Sequence, residues 1–174
     1  MALQPPATLW TIGHSTHPME EFLELLRGHE ITRIADVRRF PGSRAHPHFN
    51  PEALAASLDE RGIAYTPILA LGGRRKPRPD SPHVAWRNDA FRGYADYMDT
   101  PEFEAAAEQL AMLARAERVA VMCAEAVWWR CHRSMISDCF KASGWTVLHI
   151  IGAGEAKEHP YTSVAKVVDG TLTY

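Results

Sequence analysis

The sequence predicts a three-layer α/β/α domain built around a mostly parallel sheet of about five strands. Short apolar, β-rich runs alternate with amphipathic helical patterns, and parallel strands need such helices as crossover connections. The 174 residues, 46% of them hydrophobic, are enough to bury a core without disulfides or a structural metal. We therefore expect a single domain, with residues 8–151 as the α/β core and residues 152–174 as a tail.

The first half of the chain contains three predicted strands separated by two helices. Pro18 begins the first helix, and Gly28 can end it. Asn50-Pro51-Glu52 begins the second helix by the same rules. The strands are residues 8–12, 31–37 and 63–69, each a run of mainly apolar residues.

The second half continues the alternation. A short helical stretch at residues 91–98 precedes a helix that Thr100-Pro101-Glu102 begins, and residues 118–123 form the next strand. A helix at residues 134–143 then leads to a strand at residues 145–151. In the tail, an Asp169-Gly170 turn between two short apolar runs predicts a small hairpin.

Composition limits the classes of partner. A net charge of -2 provides no overall attraction to nucleic acid or membrane, so any basic surface must be local. The sequence contains neither a signal-peptide pattern near Met1 nor an apolar run of membrane-spanning length. Three clustered cysteines suit reduced thiols better than a secreted disulfide framework. We expect a cytoplasmic protein that does not bind membranes.

Polar residues concentrate after the predicted strands, where ligands bind in open parallel sheets. Two long loops, residues 36–50 and 70–88, are also rich in Pro, Gly, Arg and His, and loops of this length are commonly functional. We therefore predict one anion-handling site at this edge of the sheet. Its candidate residues are His14, Ser15, Asp36, Arg38, Arg44, Glu125, Cys131, His132 and Arg133.

The sequence resembles the domain of unknown function 488 family over nearly its whole length. The resemblance implies the α/β fold and the position of the site, and it brings no activity with it. The motifs that carry it are Thr11-Ile12-Gly13-His14-Ser15, Asp36-Val37-Arg38 with Pro41, Ser43 and Arg44, Leu71-Gly72-Gly73, Phe91-Arg92-Gly93-Tyr94, and Cys123-Ala124-Glu125 with Cys131-His132-Arg133.

The leading prediction is an enzyme that hydrolyses, or transfers a group from, an anionic substrate that carries phosphate or resembles a nucleotide. Arg38, Arg44 and Arg133 would bind the substrate charge, because guanidinium groups bind phosphate with two parallel hydrogen bonds. Asp36 and Glu125 would transfer protons. A second role for Asp36, which is only to orient Arg38, stays open. The hydrogen-bonding neighbours of the substrate would be His14, Ser15, Cys131 and His132.

Two alternatives remain open at this point. The first is a non-catalytic module that binds nucleotides or nucleic acid, with tryptophans such as Trp128 stacking on bases. The second is a thiol or metal redox protein, or a sulfurtransferase-like one, centred on Cys123 and Cys131. The cysteine spacing does not match the phosphatase signature. It does not match a zinc site either, so no metal is predicted, and no cofactor is indicated. We expect Cys123 to be a structural thiol with a pKa raised by burial.

Overall fold

The computed structural model describes Leu3 and residues 7–174, and it confirms the predicted mixed α/β architecture. Five parallel strands and one antiparallel strand form the main sheet in the order β3-β2-β4-β1-β5-β6. A separate antiparallel pair, β7 and β8, is joined by the turn at Asp169-Gly170. The strands are β1 (Thr8–Gly13), β2 (Arg33–Asp36), β3 (Ala64–Pro67), β4 (Val119–Cys123), β5 (Thr146–Ile150), β6 (Lys157–Glu158), β7 (Lys166–Val168) and β8 (Thr171–Thr173).

Helices connect the parallel strands, and local signals fix where they begin. The side chain of Asn88 accepts hydrogen bonds from two backbone amides at the start of α3. Thr100 caps α4 in the same way, with Pro101 as the first helical residue. The helices are α1 (Met19–Gly28), α2 (Pro51–Asp59), α3 (Asp89–Met98), α4 (Pro101–Ala116) and α5 (Arg133–Ala142).

The core consists of two apolar clusters, one on each face of the sheet. Phe22 of α1 and Leu54 of α2 pack in one cluster, whereas Phe103 of α4 and Met135 of α5 pack in the other. Along β4, alternate side chains enter opposite clusters, as the pleat of a strand requires. Cys123 belongs to the cluster under α4 and α5, so its thiol lies on the α5 face of the sheet.

The sheet has one more strand than the sequence suggests. β6 pairs antiparallel with β5, with Leu148 opposite Glu158, and it is only two exposed residues long. So short and polar a segment carries no apolar pattern, which is why it was not predicted. Within the described residues, no helix has the length and apolarity needed to cross a membrane.

The carboxyl ends of β1, β2 and β4 lie side by side. The amide of His14 donates to the carbonyl of Cys123 at 2.9 Å, and the amide of Val37 donates to that of Met122 at 3.0 Å. The loops that follow these three strands therefore leave the sheet next to each other. The predicted site residues lie in these loops or at their ends, with Asp36 as the last residue of β2 and Arg133 as the first residue of α5.

Candidate active site

A cavity of about 250 Å³ opens beyond the carboxyl ends of β2 and β4. Four arginines from three different loops contribute to its wall, and two thiols lie among them. We call this cavity the arginine pocket, and define it by Arg38, Arg39, Arg74, Arg130, Cys123 and Cys131.

The charge of three pocket arginines is not compensated by any carboxylate that the structure describes. In the part of the chain that the structure describes, no carboxylate lies within ion-pair distance of Arg39, Arg74 or Arg130. The guanidinium groups of Arg39 and Arg74 lie 5.4 Å and 5.6 Å from the ring centre of Phe40, which is 62% exposed. Positive charge beside an exposed aromatic ring suits an anion that also carries a flat group.

Arg38, by contrast, is held firmly by Asp36. Its Nε donates to Oδ1 of Asp36 at 2.9 Å, and its Nη2 donates to Oδ2 at 2.7 Å. Tyr65 donates a further hydrogen bond to Oδ2 at 2.6 Å. Asp36 is buried and contributes nothing to the described pocket wall. Its carboxylate therefore faces Arg38 and Tyr65, away from the cavity.

His14 lies behind Arg38 and completes its hydrogen bonds. Nδ1 of His14 contacts the carbonyl of Ser15 at 2.9 Å, and because a carbonyl only accepts, Nδ1 carries the proton. Nε2 is then free to accept from Nη1 of Arg38 at 3.3 Å. The ring stacks on Phe49 at 4.3 Å, and burial lowers the pKa of His14 to about 4. His14 is therefore neutral at pH 7.

The Sγ atoms of Cys123 and Cys131 are 2.9 Å apart. This hydrogen bond is the largest cause that lowers the pKa of Cys123 to about 7, and the charge of Arg133 acts in the same direction. Burial instead raises the pKa of Cys131. Cys131 therefore keeps its proton, and its S–H group donates the hydrogen bond to Sγ of Cys123. The expectation that the pKa of Cys123 rises is wrong, because a neighbouring thiol and a buried cation outweigh the burial of its sulfur.

Arg133 is the buried cation beneath the thiols. It is 1% exposed, and its Nη2 donates to the carbonyls of Glu125 and Ala126 at 3.1 Å and 3.5 Å. Among the described residues, Arg133 forms no ion pair, and its Nε makes no hydrogen bond. The amide of Arg133 also donates to Sγ of Cys131 at 3.3 Å. An unpaired buried cation favours a nearby anion, here the thiolate of Cys123.

His132 is part of the pocket wall and lies between the end of β2 and the loop after β3. Its Nε2 donates to the carbonyl of Val37 at 2.9 Å, which leaves Nδ1 unprotonated. A Cβ atom at Gly73 would lie 2.7 Å from this Nδ1, so any larger residue there would require the His132 ring to shift. Burial lowers the pKa of His132 to about 4, and the imidazole is neutral at pH 7.

Glu125 stands at the exposed rim of the pocket. Its backbone is packed closely against β1, because a Cβ atom built at Gly13 would lie only 1.7 Å from the carbonyl oxygen of Glu125. The glycine thus lets the loop after β4 approach the end of β1. This close contact fixes where the Glu125 side chain begins.

The predicted site residues fall into four groups. Those in the pocket wall are Arg38, Glu125, Cys131 and His132. Those that lie behind the wall and contact it are Asp36, His14 and Arg133. Ser15 takes part through its backbone, which has a φ of 46° and donates to the carbonyl of Ala124 at 2.9 Å. Arg44 is exposed and lies outside the pocket wall.

The structure also adds residues that are not among the predicted site residues. Arg39, Arg74 and Arg130 line the pocket, and their signal was their position in arginine-rich loops after neighbouring strands. Trp128, a candidate for base stacking, lies instead on His149, with ring centres 4.8 Å apart. His149 belongs to a buried chain of hydrogen bonds, so this indole packs against the core.

The pocket residues offer thiol, imidazole and guanidinium groups. Among the residues that the structure describes, no three His, Cys, Asp or Glu side chains are arranged to hold a metal ion. The nearest pair of soft ligands is Cys123 and Cys131.

Comparison with known proteins identifies one relationship. The family model described as Domain of unknown function DUF488 matches residues 18–140, which include β2, β4 and most of α5. No match was found among curated proteins or among solved structures.

Proposed function

Because the chain belongs to the DUF488 family, whose description names no activity, we propose a function from the chemistry of the arginine pocket. The protein is an enzyme that binds a small anionic substrate, one that carries phosphate or resembles a nucleotide, and transfers a group from it through Cys123. One observation carries this proposal: the thiol of Cys123, with a pKa lowered to about 7, opens into a pocket walled by four arginines.

Substrate binding rests on the unpaired arginines. Arg39, Arg74 and Arg130 present planar donors that match the oxygens of phosphate or carboxylate. Arg38 also lines the wall, but Asp36 compensates its charge and, with other acceptors, takes most of its donors. Phe40, exposed between Arg39 and Arg74, would stack on a nucleobase or a similar flat group.

Group transfer would follow the usual course of nucleophilic catalysis. The Cys123 thiolate attacks the electrophilic centre of the bound anion, a bond from sulfur to that centre forms, and the bond to the leaving group breaks. Glu125 at the rim delivers a proton to the leaving group. Water or another acceptor then attacks the covalent intermediate and releases the Cys123 thiolate, with Glu125 taking up the acceptor's proton.

Asp36 has a different part in this proposal from Glu125. Both of its carboxylate oxygens already accept hydrogen bonds from Arg38 or Tyr65. A carboxylate in that position orients the arginine, and we therefore propose it as a positioning residue. The carboxylate of Glu125 lies in the pocket wall, and we therefore assign proton transfer to Glu125.

The test compares two alkylating reagents that share a leaving group and differ in charge. Anionic iodoacetate and neutral iodoacetamide are reacted with a Cys139→Ala protein, and mass spectrometry identifies the alkylated cysteine. Relative to free cysteine, we expect Cys123 to favour iodoacetate by about tenfold or more, because charged clefts concentrate ions of opposite sign. Inorganic phosphate should protect the thiol.

Arginine variants provide the matched comparison. Arg74→Gln and Arg130→Gln should each reduce the preference for iodoacetate, whereas Arg87→Gln, at an exposed position outside the pocket wall, should leave it unchanged. A preference equal to that of free cysteine would overturn the anion pocket. If phosphate or AMP binds but Cys123 reacts no faster than free cysteine, the protein is a binding module and the enzyme proposal fails.

A further inference from the structure

We propose that Cys123 and Cys131 form a reversible disulfide when a hydroperoxide reaches the arginine pocket, and that this disulfide switches off the nucleophile. The inference rests on the proposed function in one respect, namely that Cys123 is the reactive thiol of the site. It assigns Cys131 a role of its own, that of the resolving thiol. The site thus becomes responsive to oxidants.

The geometry brings the two sulfurs almost to bonding distance. They are 2.9 Å apart, and a disulfide bond measures about 2.05 Å, so a further approach of roughly 0.9 Å is enough. Cys123 is fixed at the end of β4, where its carbonyl accepts from the amide of His14. Cys131 follows the turn at Trp128–Arg130, in which Trp129 and Arg130 are exposed, and its own amide makes only a long contact of 3.5 Å with the carbonyl of Trp128. The approach of the two sulfurs would therefore require Cys131 to move rather than Cys123.

The same pocket gives an oxidant access to both sulfurs. Cys123 and Cys131 each contribute to the cavity wall, although little of either residue is exposed. Cys139 provides the contrast within the chain. It lies in the apolar core on α5, outside the pocket wall, and burial raises its pKa to about 12. Only the first two cysteines combine proximity with access.

The chemistry proceeds in two steps that balance. In the first, the Cys123 thiolate attacks the terminal oxygen of the hydroperoxide, the O–O bond breaks, and the alkoxide leaves and takes a proton from solvent. Cys123 is then a sulfenic acid. In the second, Sγ of Cys131 attacks Sγ of Cys123, the S–O bond breaks, and hydroxide leaves as water with the Cys131 proton. Two thiols lose two electrons, and the hydroperoxide becomes an alcohol and water.

Arg133 makes this disulfide easy to reduce. Its buried charge stabilises the thiolate of the reduced pair, and a neutral disulfide loses that attraction. A couple whose reduced form is stabilised has a more oxidising potential than a structural disulfide. We therefore expect cellular thiols to restore the reduced site after an oxidant is removed.

The experiment treats the reduced full-length chain with one equivalent of tert-butyl hydroperoxide. We expect an intact mass that falls by two hydrogen atoms, a peptide map that links Cys123 to Cys131, and loss of iodoacetamide labelling that dithiothreitol reverses. Cys139→Ala should behave like the parent. In Cys131→Ala treated with two or more equivalents, Cys123 should instead gain two oxygen atoms as a sulfinic acid, because each equivalent delivers one oxygen atom, and dithiothreitol should not reverse this change.

A second probe guards against a Cys131 variant that fails to fold. Phenylarsine oxide, a trivalent arsenical that bridges neighbouring thiols, should bind the reduced parent and be excluded after oxidation. A parent that takes up oxygen without forming the Cys123–Cys131 link would overturn this inference and leave the proposed function intact. Loss of the preference for iodoacetate, with the link still formed, would overturn the proposed function alone.

Discussion

Asp36 and Arg38 form a two-point ion pair at the end of β2, with donor-acceptor distances of 2.9 Å and 2.7 Å. Both side chains are buried, and Nη2 of Arg38 also donates to the carbonyl of Phe49 at 2.8 Å. The pair therefore ties the strand end to the loop that precedes α2. Removal of either partner leaves the other charge buried without compensation.

Asp36→Asn should lower the free energy of unfolding by about 3 kcal/mol, since an amide replaces the carboxylate that compensates Arg38. Chemical denaturation at pH 7 measures this change. Tyr65→Phe, which removes one hydrogen bond to Asp36 and no charge, should cost only about 1 kcal/mol. An Asp36→Asn protein as stable as the parent, with alkylation of Cys123 abolished, would instead indicate that Asp36 takes part in the chemistry.

The fold was predictable because its strands and helices carry strong local patterns. Pro18, Asn50 and Thr100 stand at or beside helix starts, and the buried parallel strands are apolar runs. β6 was not predictable from the sequence, because a strand of two exposed residues has no apolar pattern. The convergence of the loops after β1, β2 and β4 follows from parallel pairing alone, and most of the predicted site residues lie at this edge of the sheet.

The pairing of Cys123 with Cys131 was not predictable in the same way. β4 is buried on both faces, so its sequence does not tell which face Cys123 occupies. Contact with Cys131 depends on α5 packing over that face, which is a property of the tertiary structure. The direction of the pKa shift depends in turn on Cys131 and Arg133. Arg44 shows a second limit of prediction from sequence. Its position in an arginine-rich loop does not determine where its exposed side chain points.

Gly13→Ala should disrupt the pocket by displacing the loop after β4. The new Cβ atom would lie 1.7 Å from the carbonyl oxygen of Glu125, so the loop after β4 must move. We expect a loss of about 3 kcal/mol in the free energy of unfolding and a weaker preference of Cys123 for iodoacetate. Gly28→Ala, where nothing lies within 4 Å of the added atom, is the control and should be neutral or slightly stabilising. Equal stability of the two variants would contradict the close packing at Gly13.

Acid should destabilise the fold below pH 6.5. Burial lowers the pKa to about 4 for His14 and His132 and to about 2 for His149. Below pH 6.5 the unfolded chain binds protons at these sites that the folded chain does not, so the free energy of unfolding falls with pH. Each histidine contributes up to about 1.4 kcal/mol per pH unit. Denaturant titrations between pH 7 and 5 measure the slope, and a flat profile would show that these imidazoles titrate normally in the folded state.

Asp138 should anchor the tail to α5. Its carboxylate accepts from Nε2 of His159 at 2.7 Å, from Oγ1 of Thr162 at 2.6 Å and from the hydroxyl of Tyr174 at 2.9 Å. Asp138→Asn should cost about 2 to 3 kcal/mol and expose residues 159–174 to proteolysis. Limited digestion with mass spectrometry tests this, with Thr173→Ala as an exposed control in the same tail. Identical digestion of the two variants would remove Asp138 as the anchor.

The pH dependence of Cys123 alkylation tests the central claim most directly. In the Cys139→Ala protein, the rate with iodoacetamide should rise with pH through a midpoint at about 7, because the thiolate is the reactive form. Cys131→Ala should move that midpoint to higher pH, since the hydrogen bond from Cys131 is the largest cause of the lowered pKa. A midpoint at or above about 8.5, the value of an ordinary thiol, in the parent protein would contradict a nucleophilic Cys123.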